Sequence, residues 1–269
     1  MSDQVFGEIC NLAMKQAGLL ITAKKKALVQ SRISRRLRAT SIGDYETYIK
    51  SVTNNEIPGE LSNMISALTT NVSSFFREPH HFDYLQRQII PAIIEKLRKG
   101  DKVRIWSAGC SSGQEPYSIA MLLHSGIPEV GKYDIKVLAT DIDSQILDAA
   151  RSAEYDEETV KEIPKPYLRY VVKSQGTSGK ASIQREVKNL VYFRQLNLLD
   201  DWPMRMQFET VFCRNVVIYF DESTQSALWP RFRDSLVNNG TFFLGHSERI
   251  ANPTSIGFEP QGVTQYQAI

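Results

Sequence analysis

Three short segments concentrate residue types suited to holding a charged small molecule. The first, Ser107-Ala-Gly-Cys-Ser-Ser-Gly-Gln-Glu-Pro116, joins an apolar run to a helix-forming stretch. A glycine-rich turn from strand to helix is the general nucleotide-binding arrangement. A dinucleotide would rest its pyrophosphate on the helix N-terminus, yet Glu115 stands in that first turn. A carboxylate there repels phosphate and suits a cationic ligand such as S-adenosylmethionine, which carries a sulfonium, an ammonium and no phosphate. Glu115 is equally well explained as a residue that favours the helix dipole. The second segment, Ala139-Thr-Asp-Ile-Asp143, puts Asp141 at a strand end, where an acid can accept from both ribose hydroxyls. Asp143 or Ser144 is left to cap the next helix. The third, Cys213-Arg-Asn-Val-Val-Ile-Tyr-Phe-Asp221, carries Arg214 and Asn215, awkward core residues that are better explained as facing a crevice.

A fourth segment is basic. Residues 24–38 contain Lys24, Lys25, Lys26, Arg32, Arg35, Arg36 and Arg38 and no acid. Lys25, Arg32 and Arg36 fall at i, i+7 and i+11, one stripe of a helix, with Arg35 beside it. A charge run is ordinarily a solvated face, but the uncompensated sign argues for an acidic partner. Nucleic acid fits the charge equally well, although the segment has no aromatic residue on which bases could stack. Cys10, Cys110 and Cys213 are odd in number and far apart, which suggests neither a disulfide framework nor a zinc site. His80 and His81 are adjacent and cannot share a helix face as i, i+4 ligands would, so surface or capping roles and no metal are expected of them.

The elements that must position these groups are legible from periodicity. The chain has 269 residues, 42% of them apolar and 23% charged, with a net charge of +2, which is ordinary for a soluble globular protein. No apolar run approaches the ~20 residues of a bilayer span, and Asp3, Glu8 and Lys15 interrupt any signal-like stretch, so a cytoplasmic chain without membrane insertion is expected. Residues 1 to about 70 show four helical stripes, among them Val5, Ile9, Leu12 and Ala13, punctuated by Gly18, Gly43 and Pro58-Gly59. A longer helix over 79–98 follows, with Pro79 suited to its first turn and Pro91 expected to bend it. Beyond Gly100, strands near 103–106, 135–139, 191–193, 208–213, 241–244 and 263–266 alternate with helices, which implies an α/β, doubly wound and mostly parallel sheet. Residues 156–188 break the rhythm with Pro164, Pro166 and a polar stretch; Tyr170-Val-Val172 and Ala181-Ser-Ile183 are expected to pair as a small antiparallel appendage.

At this point the chain resembles the chemotaxis receptor methyltransferases, the CheR family. The motifs that carry the resemblance are Thr70-Asn-Val-Ser-Ser-Phe-Phe-Arg-Glu-Pro-His-His-Phe82, Ile105-Trp-Ser-Ala-Gly-Cys-Ser-Ser-Gly-Gln-Glu-Pro-Tyr-Ser118, Ala139-Thr-Asp-Ile-Asp143, Phe212-Cys-Arg-Asn-Val-Val-Ile-Tyr-Phe-Asp221 and Gly245-His-Ser-Glu248, in that order. It implies a class I S-adenosylmethionine-dependent methyltransferase domain over 96–269, Rossmann-like, with an inserted β-subdomain at 156–188. A helical receptor-docking domain over 1–70 and a cofactor-contacting linker over 71–95 precede it. It further implies cofactor contacts from Asn71, Ser73, Arg77, Glu115, Asp141, Asn197, Leu198, Arg214 and Asn215, with Arg77 and Tyr219 implicated in catalysis. Substrate docking is implied for Lys25, Arg32, Arg35 and Arg36. The implied reaction converts glutamate carboxylates on the receptor's helical bundle to methyl esters and releases S-adenosylhomocysteine. Some members also hold a receptor C-terminal peptide on the β-subdomain by strand addition. The sparse glycines here, Gly176 and Gly179, weigh against tethering.

Overall fold

The computed structural model describes residues 1–173 and 179–269. Four helices open the chain: α1 (Asp3–Ala17), α2 (Lys26–Thr40), α3 (Tyr45–Thr53) and α4 (Glu60–Leu68). Their ends follow local chemistry. Ser2 and Asp44 accept backbone N–H bonds at the starts of α1 and α3, and Gly18 ends α1 in the left-handed conformation. Each helix turns its stripe inward, so that Ile9, Ile33, Tyr48 and Met64 are fully buried in one small core. Ile142 and Tyr219, from the larger domain, pack against that core.

A linker leads to α5 (Pro79–Tyr84), which passes through a π-helical turn, Leu85–Ile89, into α6 (Ile90–Arg98). The bend expected at Pro91 is absorbed there. Proline has no N–H to offer the preceding turn, and the helix widens just before it, with the Ile90 N–H bonding to the Leu85 carbonyl.

The remaining elements are β1 (Val103–Ala108), α7 (Gln114–Gly126), β2 (Ile135–Asp141), α8 (Ser144–Ser152), β3 (Glu154–Asp156), α9 (Glu157–Val160), β4 (Val171–Lys173), β5 (Lys180–Ile183), α10 (Arg185–Lys188), β6 (Val191–Gln195), β7 (Phe208–Cys213), α11 (Glu222–Ser235), β8 (Leu236–Leu244), β9 (Phe258–Gly262) and β10 (Gln265–Ala268). Seven strands form one sheet in the order β6-β2-β1-β7-β8-β10-β9. The first five in that order run parallel, and β10 and β9 close the edge antiparallel. Alternation along the strands feeds two cores: Ile105, Phe212 and Phe243 point to one face, Trp106, Val211 and Phe242 to the other. The chain winds outward from β1 through β2 to β6 and restarts at β7. The crevice between the C-terminal ends of β1 and β7 is therefore a topological switch point, where such sheets bind ligands.

The appendage is a three-stranded antiparallel sheet, β3-β5-β4, in which Val171 faces Ile183 and Tyr155 faces Ala181. Its first strand, β3, begins two residues before the expected insertion at 156–188. Residues 174–178, including Gly176 and much of the stretch weighed for peptide binding, lie outside the described residues. Strand β9 escaped the periodicity because Pro260 and Gly262 lie in it and all but Phe258 are exposed, the pattern of an edge strand.

Candidate active site

Every residue proposed to contact the cofactor or assist the chemistry lines one cavity of about 1280 Å³, counting the solvent at its mouth. Asn71, Ser73 and Arg77 come from the linker, Glu115 from the start of α7, and Asp141 from the end of β2. Asn197 and Leu198 follow β6, and Arg214, Asn215 and Tyr219 follow β7. Lys25 and Arg32 also reach the wall; Arg35 and Arg36 do not.

The glycine-rich turn lies hard against the loop after β7. At Gly109, whose φ is 78°, an added Cβ would sit 2.2 Å from Val216 Cγ2, so the turn can pass only without a side chain. Beyond it, the Ser111 N–H donates to Asp141 Oδ2 at 2.8 Å and the Asp143 N–H to Asp141 Oδ1 at 3.0 Å. These bonds fix the Asp141 carboxylate at the rim. Burial raises its pKa, and the same N–H donors pull it back. Asp143 caps α8 through the N–H groups of Gln145 and Ile146, and its other oxygen accepts from Asn71 Nδ2 at 2.8 Å. Ser144 is the first residue of that helix rather than its cap.

Arg214 organises the centre. Its buried guanidinium lies 2.9 Å from Glu115 Oε2 and 3.3 Å from Glu78 Oε2, and it donates to the Arg77 carbonyl. Glu115 also accepts from Ser107 Oγ at 2.6 Å. Glu115 therefore does more than favour a helix dipole: two carboxylates share one guanidinium, which leaves a local excess of negative charge. Burial pushes the Glu115 pKa up against the pull of Arg214. Burial also pushes at Glu78, but Arg214 and the bonds from His246 outweigh it and hold that carboxyl at about 2.

The linker is under backbone tension, with Phe76 at φ 52° and Glu78 at φ 59°, both in the left-handed region. The surroundings hold it there. The Phe76 N–H donates to Ser118 Oγ at 3.0 Å, and the Phe76 ring stacks on Tyr167 with centroids 4.7 Å apart. Arg77 projects into the cavity with one protein bond, to the Val72 carbonyl at 3.2 Å, and pairs with no carboxylate among the described residues. Tyr219 presents its ring to Lys25, whose Nζ lies 5.5 Å from the centroid. Asn197 ties the rim to the helical domain by donating to the Gln16 carbonyl at 2.9 Å.

Several expectations change here. Arg36 turns away from solvent and grips buried Glu60 in a fork, Nε to Oε1 at 2.9 Å and Nη2 to Oε2 at 2.6 Å. Arg32 donates to the carbonyls of Leu68 and Thr69 at 2.8 and 2.6 Å, so it closes the end of α4 where the linker begins. The outward cations of this segment are Lys24, Lys25, Arg35 and Arg38. His81 is neither a surface nor a capping residue: it is fully buried against Phe243, and its Nε2 meets Thr264 Oγ1 at 3.0 Å. Donor atoms of Glu78, His80 and His81 lie within 4.8 Å of one another. The Arg214 guanidinium already stands beside Glu78 as its counter-cation.

The cavity fits S-adenosylmethionine. Arg77 offers a free guanidinium for a carboxylate, and the excess negative charge at Glu115 suits an ammonium and a sulfonium. A switch-point crevice with this lining defines an S-adenosylmethionine-dependent methyltransferase of Rossmann-like design. Comparison with known proteins agrees. Residues 4–69 match the CheR methyltransferase all-alpha domain and residues 71–266 the CheR methyltransferase SAM binding domain. The chain is 41% identical over 254 residues to a protein of Rhizobium etli named as a probable chemotaxis protein methyltransferase, covering 93% of this chain and 94% of that one. It is 37% identical over 256 residues to the chemotaxis protein methyltransferase of Escherichia coli, covering 94% and 86%. The chain belongs to the CheR methyltransferase family.

Proposed function

We propose that this enzyme acts in the cytoplasm and transfers the methyl group of S-adenosylmethionine to glutamate side chains of chemoreceptors, giving methyl esters and S-adenosylhomocysteine. In this reading residues 1–70 dock the receptor's helical bundle, residues 71–95 close over the cofactor and residues 96–269 hold it. The observation that carries the reading is the unpaired positive charge on and next to the helix that borders the cavity. Lys24, Arg35 and Arg38 are exposed on or next to α2, pair with no carboxylate among the described residues, and continue from Lys25 on the cavity wall. An acidic helical surface complements that face.

A substrate glutamate with a pKa of ~4.3 is already ionised at neutral pH, so the chain need not supply a base. Its task is geometric: to hold oxygen, methyl carbon and sulfur in line at near-attack distance and to exclude water. Bound cofactor supplies an electrophilic methyl group on a sulfonium. Attack neutralises a carboxylate and a sulfonium together, so a strong cation clamped on the nucleophile would hold the ground state more than the transition state. We therefore assign Arg77 to the cofactor's carboxylate, Glu115 to its ammonium and Asp141 to its ribose hydroxyls. Asn197 and Leu198 flank the adenine. Arg214 and Asn215 shape the amino-acid end, Asn71 and Ser73 contribute contacts from the linker, and the Tyr219 hydroxyl orients the reacting groups. Arg32 and Arg36 are left out of the docking set because the Leu68 and Thr69 carbonyls engage the first and Glu60 the second.

The test is incubation with radiolabelled methyl donor and receptor-containing membranes, followed by mild base. Label on a receptor band, released as methanol, is the expected result. Base-stable label, or label on RNA, would sink the proposal.

A further inference from the structure

We infer that Glu248 is a positioning residue for the cofactor site, acting through the loop that carries Arg214, Asn215 and Tyr219; the inference rests on the reading that this cavity binds S-adenosylmethionine. Glu248 is buried at 3% exposure in the turn after β8. Its carboxylate does not reach the cavity. It accepts four backbone N–H groups: Gly245 at 2.6 Å and Asn215 at 2.8 Å on Oε2, and Val216 at 2.8 Å and Ile218 at 3.2 Å on Oε1. Three of these four donors belong to the loop after β7.

The loop cannot satisfy these groups by itself. Asn215 sits in the left-handed region at φ 60°, which turns successive N–H groups toward one point. Such a concave set of amides is an anion site, and here the anion is built into the chain. The opposite wall of the arrangement is Gly245. A Cβ there would stand 2.5 Å from Asn215 Nδ2, 2.8 Å from Asn215 N and 2.8 Å from Glu248 Oε2, so glycine lets the two loops close. The next residues of the held loop deliver the site: Arg214 to Glu115, Val216 against Gly109, and Tyr219 to the mouth. A carboxylate suits this task better than an amide. Both of its oxygens accept, whereas a glutamine would turn an NH2 toward one of the two donor pairs.

The experiment is Glu248→Gln, read by calorimetric titration with S-adenosylhomocysteine and by steady-state methylation with receptor membranes well below the melting temperature. The expected result is a Kd for S-adenosylhomocysteine raised at least tenfold, with a raised KM for S-adenosylmethionine and an unchanged KM for receptor. A folded variant with native affinity overturns the inference. So does one whose melting temperature falls while its cofactor KM stays native, because that is the signature of a merely structural role. Should Glu248→Gln fail to fold, Gly245→Ala keeps the carboxylate and displaces the loop. It must show the same selective loss of cofactor affinity, and native affinity there overturns the inference too. Failure of the unaltered protein to bind S-adenosylhomocysteine would instead remove the cofactor reading itself.

Discussion

Replacing Arg36 with alanine separates folding from docking. Arg36 forks onto Glu60, which is 1% exposed and also accepts from the Tyr48 hydroxyl at 2.7 Å and the Asn63 amide at 3.2 Å. Removing one member of a buried ion pair costs ~3–5 kcal/mol, mostly through the charge left behind. The Arg36 side chain is 20% exposed. Water can therefore enter the space it vacates, and the Tyr48 and Asn63 bonds persist, so the lower end, ~3 kcal/mol, is expected. At ~2 °C per kcal/mol for a chain of this size, the melting temperature should fall by about 6 °C. Arg35→Ala, an exposed change, should shift stability by no more than ~0.5 kcal/mol but raise the KM for receptor several-fold by weakening electrostatic complementarity. Calorimetric melting of both variants, with methylation of receptor membranes at 20–25 °C (roughly the reference temperature of these magnitudes), distinguishes the roles. An Arg36→Ala protein that melts like the native one yet docks receptor poorly would refute the assignment.

Arg77→Ala should weaken S-adenosylhomocysteine binding tenfold or more, since a hydrogen bond to a charged group is worth ~1.5–3 kcal/mol; unchanged calorimetric affinity would remove the residue from the cofactor's carboxylate. Acid should destabilise the fold in two stages. Burial, with the charges of Arg214 and His80, holds the His81 pKa at about 3, against an ordinary 6.5. The unfolded chain thus binds the extra proton throughout that window, and stability falls as pH falls through it. Glu78, held at about 2 against 4.5, adds a second loss in the same direction below about pH 4.5. Denaturant unfolding at several pH values should show both, with His81→Asn flattening the stage above pH 4.5; equal stability at about pH 7 and pH 5 would contradict the assignment.

The sheet and the four helices were legible because their patterns are long and each answers to one rule. Period-2 and period-3.6 burial needs no knowledge of distant partners. The rim residues were legible for a different reason. Arg214, Asn215 and Asp141 are polar groups at strand ends, where a core cannot accept them. Glu78 and Glu248 were not, although both lie inside quoted motifs. A glutamate that accepts backbone N–H groups from a loop 30 residues away reads, in sequence, like any solvated acid. Its role follows only from the two loops meeting, as His81's follows only from Thr264 and Phe243 lying over it.

Helix α2 shows how a sound local rule can assign the wrong faces. Lys25, Arg32 and Arg36 share one side, as their spacing requires, but Arg32 and Arg36 turn toward the protein whereas Lys25, just before the helix, stays exposed at the cavity wall. Three cations on one side are tolerable because their charges meet different partners: an aromatic ring and the cavity at Lys25, two helix-end carbonyls at Arg32, and a buried carboxylate at Arg36. The outward cations are Arg35 and Arg38 on the helix, together with Lys24 and Lys25 just before it. The same helix therefore borders the cavity on one side and presents its unpaired charges on the other. Arg32, rather than any outward cation, carries the hydrogen bonds that join α2 to Thr69 and the start of the linker among the described residues, so a shift of α2 would be felt there through it.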